Sequence, residues 1–188
     1  MKKGESPVLG VVYVPVRRKM YWGVKSKGSF CKVVGENEVK RLECTKFSER
    51  DQGLTIVGSS SHPSQITATF LSKFSEPNSV MVGSSLKFMM VAEGDAAIYP
   101  RFAPTCEWDT CASQIIVEEA GGSVLQAGKC SNKGESLEDW REKLKEMQPV
   151  VYNKKDLLNP FFVVYGNRDS KDAPIACEPD SWFKSLFG

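Results

Sequence analysis

Histidine is nearly missing from this chain. Its 188 residues include one, His62, so a zinc site of two cysteines and two histidines is excluded. The six cysteines, at 31, 44, 106, 111, 130 and 177, contain no C-x-x-C pair. They are too sparse to staple a disulfide scaffold and read as free thiols of a reducing compartment, with the cytoplasm as the expectation. No run approaches the roughly 18 apolar residues of a membrane helix. The longest apolar stretch, 8–16, is interrupted by Gly10 and Pro15, and the start of the chain has no clean signal-peptide core. Neither sign of charge dominates: 25 Lys and Arg stand against 23 Asp and Glu, a net charge of +2. That is not the balance of a nucleic-acid-binding protein. Internal repeats and low-complexity tracts are absent as well. Membrane and nucleic-acid partners are therefore not expected.

What is present is ordinary globular material. Hydrophobic residues make up 41% and charged residues 26%. The length suits one domain, or one and a half small ones, and suffices to bury a core. The charge is unevenly placed: the first 50 residues hold 12 basic and 5 acidic side chains. This is either a solvated basic face or a positive rim that draws in an anionic substrate. Strand-like runs are expected at 8–16, 20–24, 28–30, 54–57, 79–82, 96–99 and 123–126, with a last strand beginning at 149–153 and a buried apolar run at 161–165. Between them, a helix starts at Pro63 with Ile66, Phe70 and Phe74 on one stripe. Another runs through Ala92 and is closed by Gly94. A third carries Trp108, Ala112, Ile115, Ile116 and Ala120 at helical spacing and ends at Gly121 and Gly122. Residues 32–50 read as a surface excursion and 137–147 as a short helical patch in a polar segment. A loose tail starts at Asn167, with a docking patch at 182–187. Strands alternating with helices place the chain in the α/β class or among layered α+β folds.

In such folds chemistry collects where strands hand over to helices. Three junctions stand out. The first is Ser59-Ser60-Ser61-His62-Pro63, where hydroxyls and backbone N–H groups at a helix start make an anion site, or simply a serine-rich cap. An imidazole there can stack on a base. The second is Gly83-Ser84-Ser85-Leu86-Lys87. Glycine lets the backbone approach a phosphate, the hydroxyls donate to it, and Lys87 supplies a point charge. The alternative is a capped helix with a solvated lysine. The third joins Arg101 to Trp108 and Asp109. Asp109 at a helix start is favoured by the helix dipole by roughly 0.3–1 kcal/mol without any metal. It is equally an oxygen ligand of the kind Mg²⁺ takes, with Arg101 as a bidentate phosphate clamp.

Taken in order, these pieces are specific. Ser-His at a helix start, Gly-Ser-Ser-Leu-Lys, Ala-Glu-Gly-Asp-Ala-Ala-Ile-Tyr-Pro-Arg, and Glu-Trp-Asp-Thr followed a helix later by Glu-Ala-Gly-Gly resemble the inositol-monophosphatase-like, lithium-sensitive, Mg²⁺-dependent phosphatases. Within that superfamily the chain looks like the 3′(2′),5′-bisphosphate nucleotidases, over residues 7–166. The resemblance implies a layered α+β sandwich of the inositol-monophosphatase and sugar-phosphatase type. It places the phosphatase domain portion at 1–166 and a tail at 167–188. It makes Asp109 the metal ligand, with Mg²⁺ as cofactor. Gly83, Ser84, Ser85 and Lys87 fall at the sugar and its phosphate, Arg101 at a phosphate or base, and His62 beside the adenine. The substrate implied is a nucleoside bisphosphate, 3′-phosphoadenosine 5′-phosphate, cleaved to AMP and phosphate. An inositol- or sugar-phosphate phosphatase and a non-catalytic nucleotide-binding module are the alternatives.

The family's N-terminal half, with its helix glutamate and its Asp-Pro-(Ile/Leu)-Asp-Gly-Thr signature, has no counterpart here. The resemblance therefore implies an N-terminally truncated domain. One carboxylate does not hold a cluster of divalent ions. The chain alone is expected to be a substrate-binding half with little or no phosphatase activity and no certain catalytic residue. Apolar surface and strand edges are expected to lie open, with self-association or a further N-terminal segment completing the fold.

Overall fold

The computed structural model describes residues 5–58, 65–128 and 148–169. The chain opens with an antiparallel ribbon, β1 (Leu9–Val14) against β2 (Lys19–Val24), in register from Leu9↔Val24 to Val14↔Lys19. Pro15 pre-sets the backbone of the 3-10 turn Pro15–Arg17, and Arg18 at φ 49 completes the reversal. β3 (Gly28–Val33) pairs with β2, and the short β4 (Lys40–Arg41) closes a sheet ordered β1-β2-β3-β4. Side chains alternate across this sheet. Val12 and Val14 turn inward to the core, whereas Leu9, Val11 and Tyr13 turn outward.

The second sheet is mixed, in the order β7-β6-β8-β10-β9. β6 (Thr55–Gly58) runs parallel to β7 (Asn78–Met81) and β8 (Ile98–Arg101). β10 (Phe161–Tyr165) runs antiparallel to β8 and to β9 (Ser123–Gly128). β10 is apolar at every position because both its faces are covered. Phe162 and Val164 enter one core cluster, and Val163 and Tyr165 the other. A small parallel pair joins β5 (Lys46–Phe47) to β11 (Asn167–Arg168).

Helices supply the other layers. α2 (Leu86–Glu93) and α3 (Glu107–Glu119) pack on each other between the two sheets, α3 against the first and α2 against the second. Phe70 of α1 (Gln65–Leu71), with Phe74 just beyond it, fills the cluster on the far face of the second sheet. The layer order is therefore sheet, helix pair, sheet, helix. Gly94, at φ 82, ends α2 with its N–H on the Met90 and Val91 carbonyls. The Glu-Ala-Gly-Gly run also has a packing role. Glu119 accepts the Ser26 and Gly28 N–H groups at 2.8 Å each, which pins the β2–β3 turn. A Cβ on Gly122 would sit 2.5 Å from the Tyr165 carbonyl oxygen.

Several expectations from sequence change. Residues 32–50 are not only surface: Leu42, Cys44 and Phe47 are core, and buried Glu49 bonds Arg168. Charged neighbours disguise them. Trp108 is 70% exposed, so of the expected positions Ile115, Ile116 and Ala120 are core, and Val117 joins them. The strand expected at 96–99 lies at Ile98–Arg101 and includes Pro100. This is tolerated because β8 meets β6 only at Ile56↔Ile98, leaving Pro100 a neighbour on one side alone. No strand forms at 149–153; isolated bridges Leu125↔Pro149 and Glu5↔Tyr152 stand there instead. Asn167 and Arg168 pair with β5 where a loose tail was expected. His62, Pro63, the 137–147 patch, the 182–187 patch, Cys130 and Cys177 lie outside the described residues. The other four cysteines are free thiols. Among the described residues no helix is long and apolar enough to cross a membrane.

Candidate functional site

Three element ends converge: the N-terminus of α2, the C-terminal end of β8 and the N-terminus of α3. They enclose a cavity of about 300 Å³ whose lining includes Ser84, Ser85, Lys87, Arg101 and Asp109. The second and third junctions of the sequence thus meet in one place. Gly83 is not part of the lining. A Cβ there would meet nothing within 4 Å, and the left-handed residue of the turn is Ser84, at φ 53. Ser85 stands at the N-cap of α2, yet its hydroxyl makes no capping bond.

Lys87 is the unusual member. It is 4% exposed, in a class of side chain almost never buried unless paired. Its Nζ donates to the Val82 carbonyl at 3.1 Å and lies 5.2 Å from the centroid of the Tyr99 ring. None of the ion pairs found among the described residues includes it. Burial first, and then the Arg101 guanidinium, hold its pKa below the usual lysine range. The floor beneath is aromatic: Phe88, Tyr99 and Phe162 pack with ring centroids 5.4–6.0 Å apart. Burial pushes the Tyr99 hydroxyl up to about 12, so it stays protonated. Arg101 ends β8, where Phe162 is its cross-strand partner, rather than lying in the expected loop. Its Nη2 donates to the Pro104 carbonyl at 3.3 Å, while its Nε is buried without a hydrogen-bond partner. Two cations facing one cavity, with an unsatisfied donor between protein walls, call for an anion.

Asp109 is on the exposed side of the same cavity. One oxygen accepts the Cys106 N–H at 2.7 Å, while the Asp109 N–H donates to the Cys106 carbonyl at 2.9 Å, a cap on the start of α3. The purely structural role weighed for Asp109 is therefore realised, and one oxygen remains for a ligand. Residues that sequence reasoning missed hold this helix end. Asn159 Nδ2 donates to the Cys106 carbonyl at 2.8 Å and to the Thr110 hydroxyl at 2.9 Å. Tyr152 donates to Gln114 Oε1 at 2.7 Å. Glu107 accepts the Asn153 and Lys154 N–H groups and the Lys154 ammonium. Burial alone would push the Glu107 carboxyl up, but those donors outweigh it and hold it low. Glu107 sits in the Glu-Trp-Asp motif, the one available signal; nothing in the sequence marks Asn159 or Tyr152.

A divalent metal centre asks for more oxygen than this. Among the described residues there is no group of three or more His, Cys, Asp or Glu side chains able to hold a metal ion. Among the described residues Asp109 is the single carboxylate in the cavity lining, and one of its oxygens is committed to the Cys106 N–H. Mg²⁺ binds through one or two carboxylates only when substrate phosphates complete its shell. The described residues do not fit a two- or three-ion cluster.

Residues 2–160 match the model of the inositol monophosphatase family. Among curated proteins, the chain is 34% identical over 160 residues to the 3′(2′),5′-bisphosphate nucleotidase CysQ of Salmonella typhimurium, covering 84% of this chain and 54% of that protein. The CysQ of Haemophilus influenzae is 29% identical over 166 residues, covering 86% and 53%. Among solved structures, CysQ from Bacteroides thetaiotaomicron, described as a bacterial member of the inositol monophosphatase family, superposes with a TM-score of 0.67. It is 36% identical, over 87% of this chain and 59% of that one. An inositol monophosphatase from Zymomonas mobilis, 15% identical, shares the fold at a TM-score of 0.61 over 87% and 54%. The chain spans about half the length of the curated relatives it matches. With the layered sheets and helices, these matches establish that the chain belongs to the inositol monophosphatase family.

Proposed function

We propose that this chain is the substrate-binding part of a Mg²⁺-dependent phosphatase of nucleoside bisphosphates. The substrate class is 3′-phosphoadenosine 5′-phosphate, whose 3′-phosphate ester is hydrolysed to AMP and inorganic phosphate. The observation that carries the reading is the pair of cations on one cavity: Lys87, buried and outside every ion pair found among the described residues, and Arg101, whose Nε is buried and unpartnered. A monophosphate needs one charge clamp, and a metal centre supplies it. A bisphosphate needs a second. In this reading Lys87 and Arg101 are that second clamp, Ser84 and Ser85 donate hydroxyls to the sugar and its phosphate, and His62 lies beside the adenine. Asp109 contributes one metal oxygen, and the remaining carboxylates come from outside the matched span. The setting is reducing and cytoplasmic, which suits the free thiols.

The test is binding and turnover by the purified chain with and without Mg²⁺. Bisphosphate should bind more tightly than AMP, and little or no phosphate should be released. Lys87→Ala or Arg101→Ala should weaken bisphosphate far more than a monophosphate such as inositol phosphate. Rapid phosphate release by this chain alone would overturn the account of its single carboxylate. That same carboxylate favours one second reading, a nucleotide-binding module without catalysis. Its signature is tight binding that ignores Mg²⁺ and survives Asp109→Asn.

A further inference from the structure

A buried tyrosine ordinarily spends its hydroxyl inside the fold. Tyr21 donates to Glu93 Oε2 at 3.2 Å, and Tyr152 donates to Gln114 Oε1 at 2.7 Å. Tyr99 is different. It is 4% exposed and lines the cavity between α2, β8 and α3, yet among the described residues its hydroxyl has no hydrogen-bond partner. Nor is it a fully enclosed orphan atom, as Arg101 Nε is, so this oxygen is reached from the cavity. Burying a hydroxyl without a partner is unfavourable, and nothing in the packing of the ring requires it.

Strand geometry aims the side chain. Residues two apart on a strand share a face, so Tyr99 points the same way as Arg101, with Val164 and Phe162 as their partners on β10. The ring stands edge-on to Phe88 at 81° and to Phe162 at 90°, with centroids 5.4 and 6.0 Å away. Wedged on two sides, it keeps one orientation, and its hydroxyl is placed before a ligand arrives. Burial is the main reason that the phenol keeps its proton; the Arg101 guanidinium opposes it and the Asp109 carboxylate adds to it. The cavity thus carries a neutral donor beside its two cations.

We propose that Tyr99 is a substrate-contacting residue of this cavity: its hydroxyl donates a hydrogen bond to a phosphate oxygen held between Lys87 and Arg101. The two cations balance the charge of the anion, and the phenol takes up an oxygen lone pair without adding charge of its own. Lys87 Nζ lies 5.2 Å from the Tyr99 ring centroid, so ammonium and phenol reach the same ligand from neighbouring positions. The proposal rests on the functional reading only for the choice of phosphate as the anion.

Tyr99→Phe removes the oxygen and keeps the ring. Because the hydroxyl has no partner to lose, the variant should melt at or above the wild-type temperature by circular dichroism. Titrated with inorganic phosphate and with 3′-phosphoadenosine 5′-phosphate, it should bind each about tenfold more weakly than the wild-type chain does. In a Lys87→Met background the same change should cost about threefold or less, because the two groups hold one phosphate and their effects are coupled. A Tyr99→Phe chain that binds both compounds as tightly as wild type would overturn the proposal. So would a full loss in both backgrounds, or a variant that melts several degrees lower, since the hydroxyl would then be structural. Failure of the functional reading looks different. If inorganic phosphate binds and weakens with the loss of the hydroxyl, but the bisphosphate binds no better than AMP, the nucleoside bisphosphate assignment falls and Tyr99 remains an anion donor. A wild-type chain that binds neither compound overturns both.

Discussion

Replacing Lys87 with methionine separates binding from stability. The wild-type ammonium is buried, and its recorded hydrogen bond is to one carbonyl, that of Val82. An uncompensated buried charge costs about 3–5 kcal/mol. Removing it relieves that cost but sacrifices a charged hydrogen bond of about 1.5–3 kcal/mol. Methionine keeps the chain length and the contact with the Tyr99 ring, where a thioether packs well. The net expectation is stabilisation of about 1–2 kcal/mol, or a melting temperature higher by about 2–8 °C for a chain of this size. The same change removes one phosphate clamp. Bisphosphate affinity should fall by the value of a charged hydrogen bond, about 10- to 150-fold. A pH signature accompanies it. The folded-state pKa of Lys87 lies below the ordinary 10.5, so the unfolded chain binds the extra proton between those two values. Wild-type stability should therefore rise as the pH climbs through that alkaline window, and Lys87→Met should not show that rise. The assays are thermal melting monitored by circular dichroism and calorimetric titration with 3′-phosphoadenosine 5′-phosphate. A variant that melts lower than wild type yet binds the nucleotide unchanged would refute the reasoning, because Lys87 would then be a structural residue.

Other expectations follow from the same geometry. Arg101→Ala removes the guanidinium whose Nε is buried without a partner and should cost bisphosphate binding about tenfold or more by titration, with a much smaller effect on AMP. Gly10→Ala would place a Cβ 2.2 Å from the Ala112 carbonyl oxygen, forcing β1 away from α3. Overpacking of that kind costs about 1–3 kcal/mol and should appear as a lower melting temperature. Glu107 has a depressed pKa, so its contribution is complete above 4.5 and is lost as the pH falls through the folded-state value. Glu107→Gln should flatten the acid limb of a melting-temperature profile, and an unchanged limb would contradict the assigned role.

The sequence was most legible where one residue type has one physical job. Phe161–Tyr165 reads as a buried apolar run, which the structure makes a strand, and Gly94 reads as the end of a helix, because few other chemistries fit those positions. The junctions at 83–87 and 101–109 could be picked out singly, and their meeting in one cavity follows from α2, β8 and α3 ending side by side. What could not be read depended on partners distant in the chain. Leu42, Cys44 and Phe47 are core residues amid charged neighbours, and only Phe47 lies in a strand, the two-residue β5, too short to show a period. Trp108 fits the helical spacing of α3 but lies in its first turn and is exposed. The cap shared by Cys106 and Asp109, and the Asn159 amide that braces it, require residues some 50 positions apart to meet.

The central claim is that the cavity between α2, β8 and α3 is a two-cation phosphate clamp to which, among the described residues, a single carboxylate contributes. Calorimetric titration of the purified chain with 3′-phosphoadenosine 5′-phosphate and with AMP, each in chelator and in Mg²⁺, tests it most directly. The account predicts that the bisphosphate binds at least tenfold more tightly than AMP and that Mg²⁺ tightens its binding further through Asp109, with little phosphate released. Equal affinity for the two nucleotides, or no binding of either, would contradict it.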